Sequence, residues 1–442
     1  MSASTPPDTA DRPSPQGTPP LVPSLGQVIG PGLLFAGAAI GVSHLVQSTR
    51  AGALYGLALI PVVLLANLMK YPALAAGPRF SLATGRSLIE AYRVQGWHAI
   101  GAFAIIQLGT AFAIHAAISA VTGSVLIAAL ALAGVELSLL WAVVLINVLA
   151  TALLATGGFA LLDACIKVLM TVLALATLVV TSVEVRALDL GTLTMPVELW
   201  LAPTTIAFAV ALAGWMPAPL DIAAWNSLWC VEKHRKHGTP SSRHAMLDFN
   251  IGMAACVLLA VCFVVLGTAR LNAEGIEPAA SGGAFAAQII TLYTGALGNW
   301  SGPLVALGAL AVMGSTLLTV ADAIPRTAVA TVSTLRGGHR TKPDRDAART
   351  PGYWVLFAVM QAGGLGLLFV VGGLSEMVDL ATTLSFIATP LLAWFNHRAM
   401  RSHDVPEEHR QGRLLTALSW LGIVFWFGFA GLFLWTRFGG TP

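Results

Sequence analysis

The chain has 442 residues, of which 56% are hydrophobic and only 10% are charged. Soluble domains of ordinary composition carry about 25% charged residues, and the mean hydropathy of this chain is +0.77. These values exclude a soluble globular enzyme, a disordered protein and a nucleic-acid binder. They indicate a helical protein that crosses a membrane many times.

The first 24 residues differ from the rest, because seven of them are proline with Ser, Thr and Asp between. Such a segment buries too little apolar surface to offset its ordering entropy, so residues 1–24 are predicted to be a disordered cytoplasmic tail. The tail lacks the basic and apolar regions of a signal peptide. Residues 25–437 are predicted to form a single transmembrane domain.

Membrane spans need about 20 mainly apolar residues. Eleven segments meet this condition: 29–55, 57–76, 98–124, 138–156, 165–183, 203–229, 248–268, 302–324, 353–372, 377–396 and 415–436. A further apolar stretch, Ala284–Leu297, is short and flanked by glycine. It is predicted to be an interfacial helix within a loop.

The orientation follows from the lysines and arginines, which are enriched in cytoplasmic segments. With the amino terminus in the cytoplasm, 20 of the 24 basic residues fall inside. The inside set is Arg12, Lys70, Arg79, Arg86, Arg93, Lys167, Lys233, Arg235, Lys236, Arg243, Arg326, Arg336, Arg340, Lys342, Arg345, Arg349, Arg398, Arg401, Arg410 and Arg413. Arg186, Arg270 and Arg437 fall outside, and Arg50 lies within a span. This split predicts a multi-pass protein of the cell inner membrane with its carboxyl terminus outside.

Two spans carry helix-breaking residues at corresponding positions. Span 1 contains Gly41–His44, and span 6, five spans later, contains Ala213–Pro219 with two prolines. Matched interruptions in two five-span halves are typical of transporters built from inverted repeats, whose site lies between the broken helices. The repeats are expected at 25–183 and 200–398, with an extra helix at 415–436. Proline and glycine also kink membrane helices without forming a site, and that alternative stays open.

Several short motifs resemble one transporter family. Gly30–Ala36, Ala51–Gly56 and Leu65–Met69 match landmarks of its first two spans, Ala83–Arg86 matches the following loop, and Met216-Pro217 matches the start of its Met-Pro-His motif. In this order the motifs resemble the natural resistance-associated macrophage protein (Nramp) transporters of divalent metals. The resemblance implies an all-α membrane fold of the LeuT/APC type, a five-plus-five inverted repeat with helices 1 and 6 broken, plus one further helix.

The sequence also departs from that family. The family's Asp-Pro-Gly-Asn motif aligns with Gly41, Val42, Ser43 and His44, so both metal-binding side chains of that motif are missing, and Ala218 replaces the histidine of Met-Pro-His. The acidic residues of span 3 and the arginines of span 9 are absent as well. The resemblance leaves Met216 as the metal-binding methionine, with the backbone carbonyl of Ala213 one turn earlier.

A divalent cation at the break would have His44 and Met216 as ligands, joined by the Ser43 hydroxyl and by carbonyls freed near Gly41 and Ala213. Imidazole and thioether favour metals such as Mn or Fe over Mg and Ca. None of these groups is negatively charged, which argues against tight metal binding.

Asp221 is the nearest carboxylate to the span 6 break, and Arg50 lies a similar distance beyond the span 1 break. Either residue would serve coupling or gating. The simpler alternative is that the two pair with each other, because an unpaired charge in a bilayer is expensive.

The same pocket without a carboxylate would also suit a neutral or anionic organic solute. The amino end of the second half of span 6 carries a partial positive charge, and His44, Trp215 or Asn226 would hold the solute. Trp215 and Trp225 are equally explained by ordinary packing.

Three further polar residues are candidates for the transport path. His115 in span 3 would carry a coupling proton or be a structural histidine, and Asp322 in span 8 would line the ion path or pair with Arg326. Thr383 in span 10 roughly aligns with a polar ligand position of the family, although threonine readily bonds its own helix carbonyls. Asp379 is expected at the outer interface.

The sequence therefore predicts a secondary active transporter of a small substrate, a divalent metal such as Mn²⁺ or Fe²⁺, working by alternating access, with proton coupling as an option. A same-fold transporter of an organic solute and a non-transporting receptor are the alternatives. No GxxxxGK[ST], GxSxG or HExxH motif occurs, so neither an ATP-driven pump nor an enzyme is expected. The expected partners are the lipid bilayer and the transported solute, with no cofactor and no nucleic acid.

Overall fold

A computed structural model of the chain describes residues 31–156, 160–337 and 350–438, and the predicted tail 1–24 lies outside these ranges. The described residues form sixteen α-helices. They are α1 Pro31–Ala39, α2 Thr49–Tyr55, α3 Ile60–Thr84, α4 Leu88–Val94, α5 Trp97–Ala131, α6 Leu139–Thr156, α7 Ala160–Glu184, α8 Val197–Trp200, α9 Pro203–Trp215, α10 Ile222–His237, α11 Ser242–Gly267, α12 Gly282–Leu297, α13 Ser301–Leu335, α14 Pro351–Val370, α15 Leu374–Met400 and α16 Arg413–Phe438.

The helices follow from the physics of a bilayer, where every backbone N–H and C=O must be bonded within the chain. Within the described ranges, nine continuous helical runs are long and apolar enough to cross a membrane. The apolar helices α9 and α12 are shorter, so the predicted number of eleven spans stays a prediction. The stretch Ala284–Leu297 is helical as expected, within α12.

Span 1 is interrupted where the sequence predicted. Helix α1 ends at Ala39, Ile40 and Gly41 leave the helix, and a π-helical turn over Ser43–Ser48 leads into α2. The Thr316 hydroxyl of α13 lies 3.0 Å from the Gly37 carbonyl, 3.3 Å from the Ile40 carbonyl and 3.1 Å from the Val312 carbonyl of its own helix, and these acceptors share its one proton. Backbone oxygens freed by the break are thus bonded by a neighbouring helix.

Span 6 is broken outright. Helix α9 ends at Trp215, the chain is non-helical to Asp221, and α10 begins at Ile222. In a continuous helix the N–H of residue 217 would bond the Ala213 carbonyl and that of residue 219 the Trp215 carbonyl. Both positions are proline, which has no N–H. The confirmed interruption therefore follows from the two prolines.

Lys70 corrects the count of cytoplasmic basic residues. The sequence analysis placed it with the inside segments, but it lies in the middle of α3 and is completely buried. The apolar window 57–76 already enclosed it, and α3 continues to Thr84. Lys70 therefore contributes nothing to the charge difference that orients the protein.

Small residues bring helices into close contact around the broken span 1. A Cβ atom on Gly52 of α2 would collide with the Val264 carbonyl of α11, and one on Gly267 would collide with the Thr49 carbonyl. Helices in membranes associate largely through such close backbone approach. The pair fixes the second half of span 1 against α11.

This contact predicts that replacing glycine by alanine changes the melting temperature differently at two positions. Gly52→Ala is expected to lower the melting temperature, since overpacking costs about 1–3 kcal/mol. Gly428→Ala in α16, where a Cβ meets nothing within 4 Å, is expected to leave it unchanged or raise it, because alanine favours helix by about 1 kcal/mol. Thermal unfolding of both variants in detergent checks this, and equal melting temperatures would contradict the packing described.

Candidate substrate site

A small cavity lies between the two interrupted spans. Its volume is about 20 Å³, room for about one water molecule. Its wall combines residues of both breaks with residues of α5 and α13: Ala38, Ala39, Val42, Ser43, Ile114, Ile118, Trp215, Ala218, Pro219, Ile222, Trp225, Thr316 and Val320. The two breaks therefore face one another, as the sequence required of a transport site.

Ser43 joins the two interruptions. Its Oγ lies 2.9 Å from the Ala39 carbonyl, 3.3 Å from the Pro217 carbonyl and 2.7 Å from Nδ1 of His44. The hydroxyl has one proton to donate, so these partners share it. Ser43 is the one residue of the predicted substrate-binding set that lines the cavity.

His44 is fully engaged with the protein. Its Nε2 lies 2.9 Å from the Cys256 carbonyl, which can only accept, so Nε2 carries the ring proton. In the neutral ring Nδ1 is then the acceptor, and it faces the Ser43 hydroxyl. Neither nitrogen is available to a metal in this conformation, and His44 is absent from the cavity wall.

The carbonyls freed by the span 6 break are held by a lysine. The Lys70 ammonium donates to the carbonyl oxygens of Ala213 at 2.9 Å, Gly214 at 2.7 Å and Ala218 at 3.0 Å. Its Nζ also lies 5.3 Å from the ring centre of Trp426. The Ala213 carbonyl, predicted as a substrate ligand, is thus bonded to Lys70.

The other predicted ligands lie away from the cavity wall. Met216 is fully buried in an apolar cluster that includes Met69 and Phe386. Gly41 packs against Thr316, and Thr383 is half-buried on α15. Within the described ranges, no group of three or more His, Cys, Asp or Glu side chains is arranged to hold a metal ion.

The alternative pairing of Arg50 with Asp221 is wrong. Arg50 instead makes a two-pronged ion pair with Asp379 of α15, at 2.8 and 3.2 Å, and Gln47 hydrogen-bonds both partners. Asp379 was expected merely at the interface. The hydrophobicity of span 10 alone does not show that this span packs beside the second half of span 1. That packing determines which carboxylate pairs with Arg50.

Asp221 lies at the start of α10 on the side of Lys70. The two charges interact electrostatically without a direct ion pair, and Oδ1 of the buried carboxylate has no hydrogen-bond partner among the described residues. Lys70 is therefore the counter-charge that the sequence analysis sought in Arg50.

The two tryptophans differ in their polar contacts. Trp215 Nε1 donates to the Ser385 hydroxyl at 2.8 Å, whereas Nε1 of Trp225 is buried without a partner in the described part of the chain. Asn226 donates to the Pro31 carbonyl and accepts from Cys230, so its amide is occupied. It does not line the cavity.

His115 and Asp322 lie outside the cavity wall. His115 is buried on α5, beside the lining residue Ile114, with Nε2 3.5 Å from the Ser119 hydroxyl. Asp322 pairs with Arg326 at 2.6 Å and accepts from the Tyr353 hydroxyl at 2.9 Å. This is the salt bridge that the sequence analysis offered as the alternative to an ion-path role.

Sequence reasoning missed two residues that shape the site, Lys70 and Thr316. A lysine inside an otherwise apolar 20-residue window is a signal in itself, because a charge in a span marks a partner or a pathway. The threonine carried no comparable signal.

A helical bundle in which two interrupted spans flank a small cavity has the architecture of the LeuT-type secondary transporters. The solved structures agree. A mutant of the Eremococcus coleocola manganese transporter is similar with a TM-score of 0.65 at 16% identity, covering 98% of this chain and 91% of that one. MhsT in complex with L-phenylalanine gives 0.61 at 15% identity, covering 94% and 100%. The Mhp1 nucleobase-cation-symport-1 transporter gives 0.52 at 13% identity, covering 92% and 93%.

The chain belongs to the Nramp family, because the family model described as natural resistance-associated macrophage protein-like matches residues 32–436. It is also 30% identical over 410 residues to the uncharacterized protein PM0681 of Pasteurella multocida (strain Pm70), covering 92% of this chain and 91% of that protein. It is thus a multi-pass membrane protein with a LeuT-type fold, as the sequence motifs implied.

The contacts of His44 predict a structural rather than a ligand role. His44→Ala should lower stability by about 1–3 kcal/mol, because the buried ring is removed together with its hydrogen bonds to the Cys256 carbonyl and the Ser43 hydroxyl. His98→Ala, at an exposed position of α5, is the control. Thermal unfolding in detergent measures both. An unchanged melting temperature together with lost metal binding would show that His44 serves the substrate instead.

Proposed function

We propose that the protein is a secondary active transporter that moves a small substrate by alternating access through the cavity between spans 1 and 6. The observation that carries this proposal is the meeting of two interrupted helices around that cavity. Unwound backbone is tolerated in a membrane where it is buried in protein or lines a cavity, and both interruptions here meet that condition.

We propose a divalent metal ion as the cargo. Membership of the Nramp family supports a metal, and so does the fold shared with a manganese transporter. The cavity has room for about one water-sized particle, which includes a metal ion. The polar side chains among its lining residues are neutral, namely those of Ser43, Thr316, Trp215 and Trp225, and the Pro217 carbonyl lies beside Ser43. His44 and Met216, the proposed soft ligands, join the site only by moving during the transport cycle.

A small neutral or anionic solute is the second candidate. Two observations favour it: no carboxylate lines the cavity, and Nε1 of Trp225 is a buried donor without a partner in the described ranges. An indole N–H can only donate, so it suits an oxygen of the solute. The amino end of α10 adds a partial positive charge. Both features oppose a dication and suit an oxyanion.

We assign Arg50 and Asp379 to a gate on the side of the bundle predicted to face outward. Arg50 belongs to the second half of span 1 and Asp379 to span 10, so their ion pair ties two helices across the path from the cavity. The arginine side chain is mostly buried, at 10% exposure, while the aspartate is 39% exposed. His115 stays the proposed proton carrier, and Asp221 and Asp322 stay proposals for coupling or gating.

The gate predicts how accessible the cavity is from outside. In a Ser43→Cys background, Asp379→Asn should speed labelling by a membrane-impermeant thiol reagent about tenfold, the effect of roughly 1.4 kcal/mol of lost closing energy. Asp404→Asn removes a comparable ion pair, that of Arg86 with Asp404, and is the matched control. Equal labelling rates in the two variants would show that the Arg50–Asp379 pair does not gate the cavity.

The cavity predicts a block by steric filling. Ala39→Leu adds three carbons to the cavity wall, so uptake of Mn²⁺ into proteoliposomes should fall at least about tenfold, with a stability cost of about 1–3 kcal/mol. Ala152→Leu on the exposed side of α6 should transport normally. Binding calorimetry with Mn²⁺ and with Mg²⁺ accompanies the uptake. No heat and no uptake with either metal, from folded protein, would overturn the metal cargo and leave the organic solute.

A further inference from the structure

The last turn of α9 and the non-helical stretch after it place three carbonyl oxygens around one point and so form a cage. Three carbonyl oxygens, those of Ala213, Gly214 and Ala218, converge on one point at 2.7–3.0 Å. Trp426 presents its ring face on another side at 5.3 Å. The arrangement consists of acceptors and a π face, which together attract positive charge.

The cage is filled by the protein's own lysine. An ammonium has three protons to donate, and all three are matched by the three carbonyls. Lys70 comes from α3 and is completely buried, so its charge is compensated within the protein. The buried carboxylate of Asp221 interacts with it electrostatically and supplies the opposite charge.

We propose that the carbonyl cage of Ala213, Gly214 and Ala218 is a monovalent-cation site whose occupant is the tethered Lys70 ammonium, and that the cage binds a free monovalent cation when the amine is removed. The cage adjoins the cavity, because Ala218 belongs to both, whereas Lys70, Ala213 and Gly214 do not line the cavity. Unwound carbonyls coordinate coupling cations in transporters of this architecture. In this protein the cation is the ammonium group of a side chain. The inference does not depend on the identity of the cargo.

Truncation and chemical rescue test the proposal. Lys70→Ala removes three carbons and the amine, which are the atoms of n-propylammonium, and leaves a space that this ion can occupy. Lys70→Met removes the charge but keeps that space filled. Melting temperatures are compared in n-propylammonium, sodium and N-methylglucamine chlorides at equal ionic strength, and in n-propanol. Bound ligand raises stability with the logarithm of its concentration.

The Ala variant should melt lower than wild type in N-methylglucamine chloride. It should gain about 3 °C or more in n-propylammonium chloride, and sodium should give a smaller gain. Propanol should give no comparable gain, and the Met variant and wild type should not respond selectively to either cation.

Three results would overturn the proposal. The first is an Ala variant as stable as wild type without a small cation. The second is an equal gain from propanol and propylammonium, which would mean that the lysine only fills space. The third is an Ala variant that cannot be recovered folded even when purified in propylammonium chloride. Because the readout is stability, failure of the proposed transport function would leave these outcomes unchanged.

Discussion

The structure depends on one constraint, the satisfaction of backbone oxygens where a membrane helix is broken. Pro217 and Pro219 remove the donors for two carbonyls of span 6, and a bilayer offers no water to replace them. Lys70 of span 2 donates to the carbonyls of Ala213, Gly214 and Ala218 around the span 6 break, and the Thr316 hydroxyl of α13 contacts carbonyls of span 1. Each break is stable because a side chain of another helix reaches it.

This solution changes the electrostatics of the site. The buried side chains of Asp221 and Lys70 lie beside this break and interact with each other electrostatically. A divalent cation entering the neighbouring cavity would add two charges beside an existing positive one. Metal transport through this cavity therefore requires that ligands now turned away, such as Met216, move toward the cargo, or that the Lys70 ammonium moves back.

The sequence predicted the larger features because they depend on local chemistry. Glycine and proline interrupt helices wherever they occur, so both breaks were visible, and the order of short motifs gave the family. Side-chain roles were harder to predict, because they depend on which helices become neighbours. Arg50 pairs with Asp379 rather than Asp221 since span 10 passes beside span 1. Met216 and His44 carry atoms that suit a metal ion. In the packed structure, however, Met216 lies within an apolar cluster, and His44 hydrogen-bonds the Cys256 carbonyl.

The cavity and the filled cage are adjacent, because Ala218 belongs to both. A carrier whose unwound helix needs a free cation closes stably only when that cation is bound, which couples closure to the ion. In this protein the Lys70 side chain bonds carbonyls at the span 6 break, and the Ser43 hydroxyl links the two breaks directly. The carbonyls at the span 6 break are therefore bonded by the protein's own side chain. In the proposed transporter such a break does not need a coupling cation at this position, so coupling to an ion gradient would act elsewhere, through the cargo itself or through the proposed Arg50–Asp379 gate.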